Sequence, residues 1–229
     1  MTPEPKYRHE YKYLISDMQM ELLKNRISGI MPKDLHTENG QYNIRSLYFD
    51  DYYDRCFYEN ENGTDPREKF RIRIYNHSDS RISLECKRKE RGKTLKTSCI
   101  ITKEQCETFM RGQYERESVG KSAVLNKLML GILTRRMKPK IVVEYDRIPY
   151  IYKDGNVRVT FDTNISSSIN VAGFLNGDVE KRPVMPKGQQ LMEVKFDEFL
   201  PDFIYRALQL ESLQQTAYSK YYLCRKFTL

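Results

Sequence analysis

Charged and apolar residues alternate along several stretches of this chain. The first is Arg8-His9-Glu10-Tyr11-Lys12-Tyr13-Leu14-Ile15. Lys69-Phe70-Arg71-Ile72-Arg73-Ile74-Tyr75, Leu84-Glu85-Cys86-Lys87-Arg88-Lys89, Val157-Arg158-Val159-Thr160-Phe161-Asp162 and Met192-Glu193-Val194-Lys195-Phe196 follow the same pattern. Successive side chains of a strand point to opposite faces, so each stretch offers one apolar face and one carrying Lys, Arg and Glu. Strands are predicted over residues 7–16, 42–50, 67–76, 81–89, 94–101, 140–152, 156–163 and 189–197. Polar turns at His77 to Ser80 and at Asp154-Gly155 join two pairs of them as hairpins, and Arg91-Gly92-Lys93 reads as a flexible basic loop.

Helical spacing appears between the strands. Ser16-Asp17 caps a helix through Met18, Leu22, Leu23 and Ile27, and Thr102 or Lys103 opens another that ends near Arg111. Gly120 to Met137 carries the longest helical pattern, and Pro201 starts a helix to about Leu210. Residues 51–60 read as a short helix or turn, and Ser219 to Phe227 closes the chain. The fold class is α+β: a large antiparallel sheet or β-barrel of about eight strands with helices packed outside. The whole chain, residues 1–229, reads as a single domain.

The functional question is where the charged faces point. An ordinary half-buried sheet turns them to solvent. A barrel with its helices on the outside turns them into the lumen, as a cationic tunnel. Such a lumen repels itself unless anions bind or carboxylates interleave, and Glu10, Glu85, Glu144 and Glu193 occupy interleaving positions.

Charge and composition narrow the partners. Lys plus Arg is 39 against 31 Asp plus Glu, a formal net charge of +8, which favours an anionic partner. No apolar run approaches ~20 residues, so no membrane span is expected. Met1 to Lys12 carries no apolar stretch, so no secretory signal is expected there, and the five scattered cysteines read as reduced thiols of a cytoplasmic protein. The three histidines are too few and too dispersed for a His-based metal site. No nucleic-acid-binding motif is present, and the aromatics fall on the apolar parity, so a nucleic acid partner is not expected.

The order of motifs resembles a known family. R-H-E-Y-K-Y-L-I at 8–15, S-L-Y-F-D at 46–50, K-F-R-I-R-I-Y at 69–75 and L-E-C-K at 84–87 are followed by V-E-Y-D-R at 143–147, R-V-T-F-D at 158–162, M-E-V-K at 192–195 and S-K-Y at 219–221. Together they resemble the VTC domain, the polyphosphate polymerase domain of the eukaryotic vacuolar transporter chaperone complex, also found as free-standing bacterial proteins. That family belongs to the triphosphate tunnel metalloenzymes, related to the CYTH phosphatases and cyclases.

The resemblance implies a barrel whose lumen binds triphosphate or polyphosphate with a divalent metal. It implies phosphate contacts from Lys12, Arg71, Arg73, Lys87, Lys89, Arg147, Arg158, Lys195 and Lys220. Arg71, Arg73, Lys87, Arg158 and Glu193 would carry the chemistry. Glu193 would be the main metal ligand, with Glu10, Glu85 and Glu144 as further carboxylates, and the ion would be Mn²⁺ or Mg²⁺. The implied reaction is ATP-dependent polyphosphate polymerisation. A triphosphate hydrolase in the same tunnel, or a non-catalytic polyanion-binding module, are the alternatives. Arg8 stands where CYTH proteins carry a first glutamate of an E-x-E-x-K opening, which favours the VTC branch. Strand parity puts Arg147 opposite Glu144, so either a bulge separates them or one of the two is not luminal.

Overall fold

The alternating stretches become the strands of one antiparallel sheet. A computed structural model describes residues 6–228 apart from residues 36, 38, 115–119, 121, 178 and 211–212. The strands are β1 (His9–Ser16), β2 (Tyr42–Asp50), β3 (Arg67–Tyr75), β4 (Ser78–Glu90), β5 (Lys93–Ile101), β6 (Lys138–Tyr152), β7 (Val157–Ser168), β8 (Arg182–Pro183) and β9 (Gln189–Phe196). Their order in the sheet is β1-β9-β7-β6-β2-β3-β4-β5, and the two-residue β8 pairs with β7. The sheet curls until its edge strands meet. Arg8 and Thr94 exchange two backbone hydrogen bonds of 2.9 Å there.

The turns are tighter than the sequence predicts. Asn76 and His77 both hold positive φ, 48° and 56°, so β4 begins at Ser78. Arg91 (φ 48°) and Gly92 (φ 75°) form a second two-residue turn in place of a flexible loop. Positive φ at both central positions matches the right-handed twist of the flanking strands. The Arg91 backbone N–H also donates to Asp65 Oδ2 at 2.8 Å.

Helices α1 (Asp17–Ser28), α2 (Arg55–Glu61), α3 (Lys103–Met110), α4 (Ala123–Arg135), α5 (Asp202–Ala207) and α6 (Lys220–Lys226) complete the structure. Capping boxes start α1 at Ser16 with Gln19 and α3 at Thr102 with Gln105. Among the described residues, no helix is long and apolar enough to cross a membrane.

Packing decides which way the strands face. Phe70, Ile72, Ile74, Leu84 and Cys86 form one core with Phe109 of α3 and Leu125 and Leu128 of α4. Val159, Phe161, Met192 and Val194 form a second with Leu23 and Ile27 of α1 and Ile204 of α5. Both cores lie on the outer, convex side, so the charged parity of β1, β3, β4, β7 and β9 is turned inward. The concave side is not left hollow. Tyr221 and Cys224 of α6 pack there against Ile44, Tyr48, Val143 and Tyr145, filling one region of the lumen with apolar contacts. The remainder is a cavity of about 1140 Å³.

Candidate functional site

The cavity collects charged side chains from several strands onto a few carboxylates. Glu193 on β9 has four cationic neighbours. Lys195 Nζ and Lys220 Nζ each stand 2.8 Å from its carboxylate, Arg147 Nη2 3.3 Å and Lys12 Nζ 3.6 Å. Burial disfavours its ionisation, but Lys195, Lys220, Lys12 and Arg147 outweigh that and hold it well below the usual carboxylate range. Behind it, Asp162 on β7 accepts a bidentate pair from Arg147, at 2.6 and 2.7 Å, and lies 2.5 Å from Lys220 Nζ. Two parallel N–H···O⁻ bonds fix both position and plane of the guanidinium. Arg147 is pushed up in return, because Asp162 outweighs the cost of its burial.

A second carboxylate bridges the closure of the barrel. Glu10 on β1 accepts from Lys87 Nζ of β4 at 2.5 Å and Thr94 Oγ1 of β5 at 3.2 Å, and Lys12 Nζ lies 3.4 Å away. Burial opposes its charge, yet Lys87 and Lys12 keep it well below the ordinary value. Burial brings Lys87 down to about 8, although Glu10 opposes the shift.

A third group sits on β3 and β4. Arg71 donates through Nε to Glu85 Oε2 at 2.7 Å and through Nη1 to the Tyr48 hydroxyl at 2.9 Å. Arg73 is held more loosely, by Ser46 Oγ at 3.3 Å, the Tyr145 hydroxyl at 3.4 Å and Glu85 at 3.7 Å. Burial would raise the Glu85 pKa, but Arg73 and Arg71 lower it further than burial raises it. Tyr48 is also lowered, because Arg71 and Arg73 outweigh its burial.

The structure thus brings Lys12, Arg71, Arg73, Lys87, Lys89, Arg147, Arg158, Glu193, Lys195, Lys220 and Glu10 to one cavity. Arg158 stands apart from the Glu193 group, donating to Asp34 at 2.9 Å and the Tyr42 hydroxyl at 2.7 Å. Glu85 is buried against Arg71 and Arg73 and orients them.

Glu144 is a correction. It lies on the opposite face of β6 from Tyr145 and Arg147, outside the cavity. There it accepts from Arg45 Nε at 2.7 Å and His77 Nε2 at 2.9 Å, and pairs with Lys181. It is therefore no luminal metal ligand but the anchor of a buried ionic cluster. Both faces of β6 are buried, so parity alone could not tell lumen from exterior. Although burial raises it, hydrogen bonds from Lys181, His77 and Arg45 bring Glu144 down to about 2. A depressed carboxylate stabilises the fold above its unfolded pKa, and that contribution is lost as pH falls through the folded value. Acid unfolding of the parent is therefore expected to draw on Glu144 between about pH 4.5 and 2. Glu144→Gln should lower the melting temperature at pH 7 and narrow the gap from the parent as pH approaches 2, read by calorimetry across that range. An unchanged gap would show that the cluster contributes nothing through its charge.

Three features escaped the sequence reading. Asp162 was visible only as the end of a motif, though it shares the luminal parity of Arg158. Lys69, two residues before Arg71, lines the cavity and bonds Asn60 and Ser219. Tyr42, Tyr48 and Tyr145 do more than pack, since each hydroxyl accepts from a luminal arginine.

Hard oxygen donors for a divalent ion are present but sparse. Among the described residues, no group of three or more His, Cys, Asp and Glu could hold a metal by itself. Glu193 and Glu10 both face the cavity, with Lys12 between them. That set fits an ion of the Mg²⁺ type, which takes one or two carboxylates and completes its shell with phosphate oxygens and water.

Comparison with known proteins agrees with this architecture. No curated protein matches the chain. An adenylate cyclase-like protein from Bacillus halodurans superposes with a TM-score of 0.52 at 16% identity, covering 90% of this chain and 88% of that one. An adenylyl cyclase-like protein from Hippeastrum, described as having a dominant triphosphatase activity, gives 0.59 at 15% identity and 97% of each chain. The PH1819 protein from Pyrococcus horikoshii gives 0.52 at 15% identity, over 96% of this chain and 99% of its own. At such identities the likeness is one of fold, that of the triphosphate tunnel proteins. The profile of the VTC domain matches residues 7–229. The chain belongs to the VTC-domain family.

Proposed function

We propose that the tunnel is a phosphoryl-transfer site that moves the γ-phosphoryl group of ATP onto the end of a polyphosphate chain. The observation that carries this reading is the inward convergence of Lys12, Lys195, Lys220 and Arg147 on Glu193, next to the Arg71–Arg73 pair. Membership in the VTC-domain family supports it. A linear phosphoanhydride carries charge along its length, and a row of cationic donors suits it without a protein nucleophile. A terminal oxygen of the acceptor chain attacks the γ-phosphorus, the bond to the β–γ bridging oxygen breaks, and ADP leaves with that oxygen. Little covalent work falls to the protein in such a transfer, so positioning and charge stabilisation dominate.

In this reading Arg71 and Arg73 present planar N–H forks to the equatorial oxygens. Lys12, Lys195 and Lys220 neutralise charge around Glu193, and Arg158 and Lys87 extend the cationic wall. Glu193 and Glu10 would hold Mn²⁺ or Mg²⁺, and the ion would supply charge neutralisation at the reacting phosphate. A second reading is hydrolysis of a triphosphate in the same tunnel, favoured by the triphosphatase activity described for the Hippeastrum neighbour.

Incubation of the purified chain with ATP and Mn²⁺ or Mg²⁺, following polyphosphate and orthophosphate separately, tests both. Polyphosphate with matching ADP establishes the transferase. Orthophosphate alone establishes the hydrolase. Neither product, with metal-independent binding of polyphosphate, makes the tunnel a binding module.

A further inference from the structure

The cations of the cavity fall into two groups. Those around Glu193, Glu10 and Glu85 are each paired with a carboxylate. Lys69 is not. Its Nζ donates to Asn60 Oδ1 at 2.7 Å and to Ser219 Oγ at 3.0 Å, and stands 5.4 Å from the centre of the Tyr221 ring. Both acceptors are neutral, and no ion pair joins Lys69 to a carboxylate among the described residues. Arg67, the preceding residue on the same face of β3, donates to the Thr64 carbonyl oxygen at 2.8 Å. Lys89 faces Arg67 across the β3–β4 register and likewise has no carboxylate partner among the described residues.

This zone is part of the same cavity, which Asn60, Arg67, Lys69, Lys89 and Ser219 all line. Its electrostatics are the reverse of those at Glu193. Three cations side by side with no ion pair to a carboxylate among the described residues, Glu10 and Asp65 acting on Lys89 only at longer range, repel a metal ion and one another, and an oxyanion relieves that repulsion. The hydrogen-bonding groups suit one too. Ser219 has a hydroxyl proton and Asn60 an amide N–H to give, besides the donors of Lys69, Arg67 and Lys89.

Resting on the tunnel reading above, we propose that Arg67, Lys69 and Lys89, with Asn60 and Ser219, form a metal-independent oxyanion subsite for a phosphate group that carries no divalent ion. That group is either the unmetallated tail of a linear phosphate chain or free orthophosphate. Burial, reinforced by Arg67, Lys12 and Lys87, brings Lys69 down to about 7. The other titratable groups facing it are Cys56 of α2, whose thiol burial pushes well up and keeps neutral, and Tyr221 of α6, whose ring it overlies. An arriving oxyanion therefore draws a proton onto Lys69.

The test is calorimetric titration of the full chain with tripolyphosphate and, separately, orthophosphate, in EDTA near pH 7.5, in two buffers of different ionisation enthalpy. Tripolyphosphate should bind without metal and with net proton uptake. Lys69→Met should weaken it by about 10- to 100-fold, the size of a lost charge-assisted hydrogen bond. Lys69→Arg, permanently charged, should keep the affinity within a few-fold and reduce the proton uptake, leaving the part that Lys87 takes. The same Lys69 dependence for orthophosphate would identify free phosphate as the occupant, and its absence would identify the tail of the chain. Parent-like binding by folded Lys69→Met overturns the subsite, and undiminished proton uptake by Lys69→Arg overturns the assignment of that uptake to Lys69. Neither readout uses metal or turnover, so an absence of ATP chemistry leaves the subsite standing, and failure here leaves the transfer reaction to its own assay.

Discussion

Glu193→Gln should lower metal-dependent turnover by on the order of 10²–10³-fold while polyphosphate still binds, and binds more tightly in EDTA. The substitution keeps the shape of the side chain and removes one negative charge from the centre of four cations. If Glu193 holds a divalent ion, the reacting phosphate loses that ion. If instead Glu193 serves only to quiet its lysines, removing it frees them for phosphate and turnover persists. The two roles therefore separate in the comparison of turnover with metal-free affinity. Removing one partner of a buried ionic group is costly, of order 3–5 kcal/mol, because the others are left uncompensated. The variant should accordingly melt well below the parent in dilute buffer and regain stability when tripolyphosphate is added, since a ligand that binds only the folded state stabilises it by mass action. Parent-like turnover would remove Glu193 from the metal site.

Much of this arrangement was legible in the chain because a strand has a period of two. Lys69, Arg71 and Arg73 share a face by counting, and the apolar residues between them had to be covered. What counting could not supply was polarity. Glu144 and Arg147 lie on opposite faces of β6, and both faces are buried, one under Arg45 and the other against Tyr221 and the lumen. Only the three-dimensional placement of α6 on the concave side decides between them. Asp162 was hidden for a related reason. Its importance comes from Arg147 and Lys220, which reach it from β6 and α6 and are distant in the chain. Lys69 was hidden because its distinguishing property is a missing carboxylate, and the absence of a partner cannot be read from a linear pattern. The closure at Arg8–Thr94 rests on one backbone pair and leaves no periodic signal.

Arg71→Lys should cost more turnover than Arg73→Lys, although the two residues share a face and a motif. Arg71 is fixed at three of its nitrogens. Nε and Nη2 each lie 2.7 Å from Glu85 Oε2, and Nη1 donates to Tyr48 at 2.9 Å. Its remaining N–H groups are thus preorganised before any phosphate arrives. Arg73 makes only longer contacts, of 3.3, 3.4 and 3.7 Å, and can follow a moving phosphate. Preorganised donors contribute most where charge develops, because they need no reorganisation at the moment of reaction. A lysine keeps the positive charge but loses the planar fork and cannot engage Glu85, Tyr48 and phosphate together. The expected loss for Arg71→Lys is on the order of 10³-fold in turnover, at the lower end of what a transition-state arginine supplies. For Arg73→Lys it is about tenfold, the size of one modest hydrogen bond. Glu85→Gln leaves both guanidiniums in place but loosens the anchor of Arg71, so it should reproduce part of the Arg71→Lys loss in turnover with little change in apparent affinity. The effects should fall short of additive in the Glu85→Gln, Arg71→Lys double variant, since both act through one guanidinium. Steady-state kinetics of the four variants against the parent decide it. Equal losses for the two arginines would mean that Glu85 and Tyr48 merely pack against Arg71, and full additivity would mean that Glu85 acts without it.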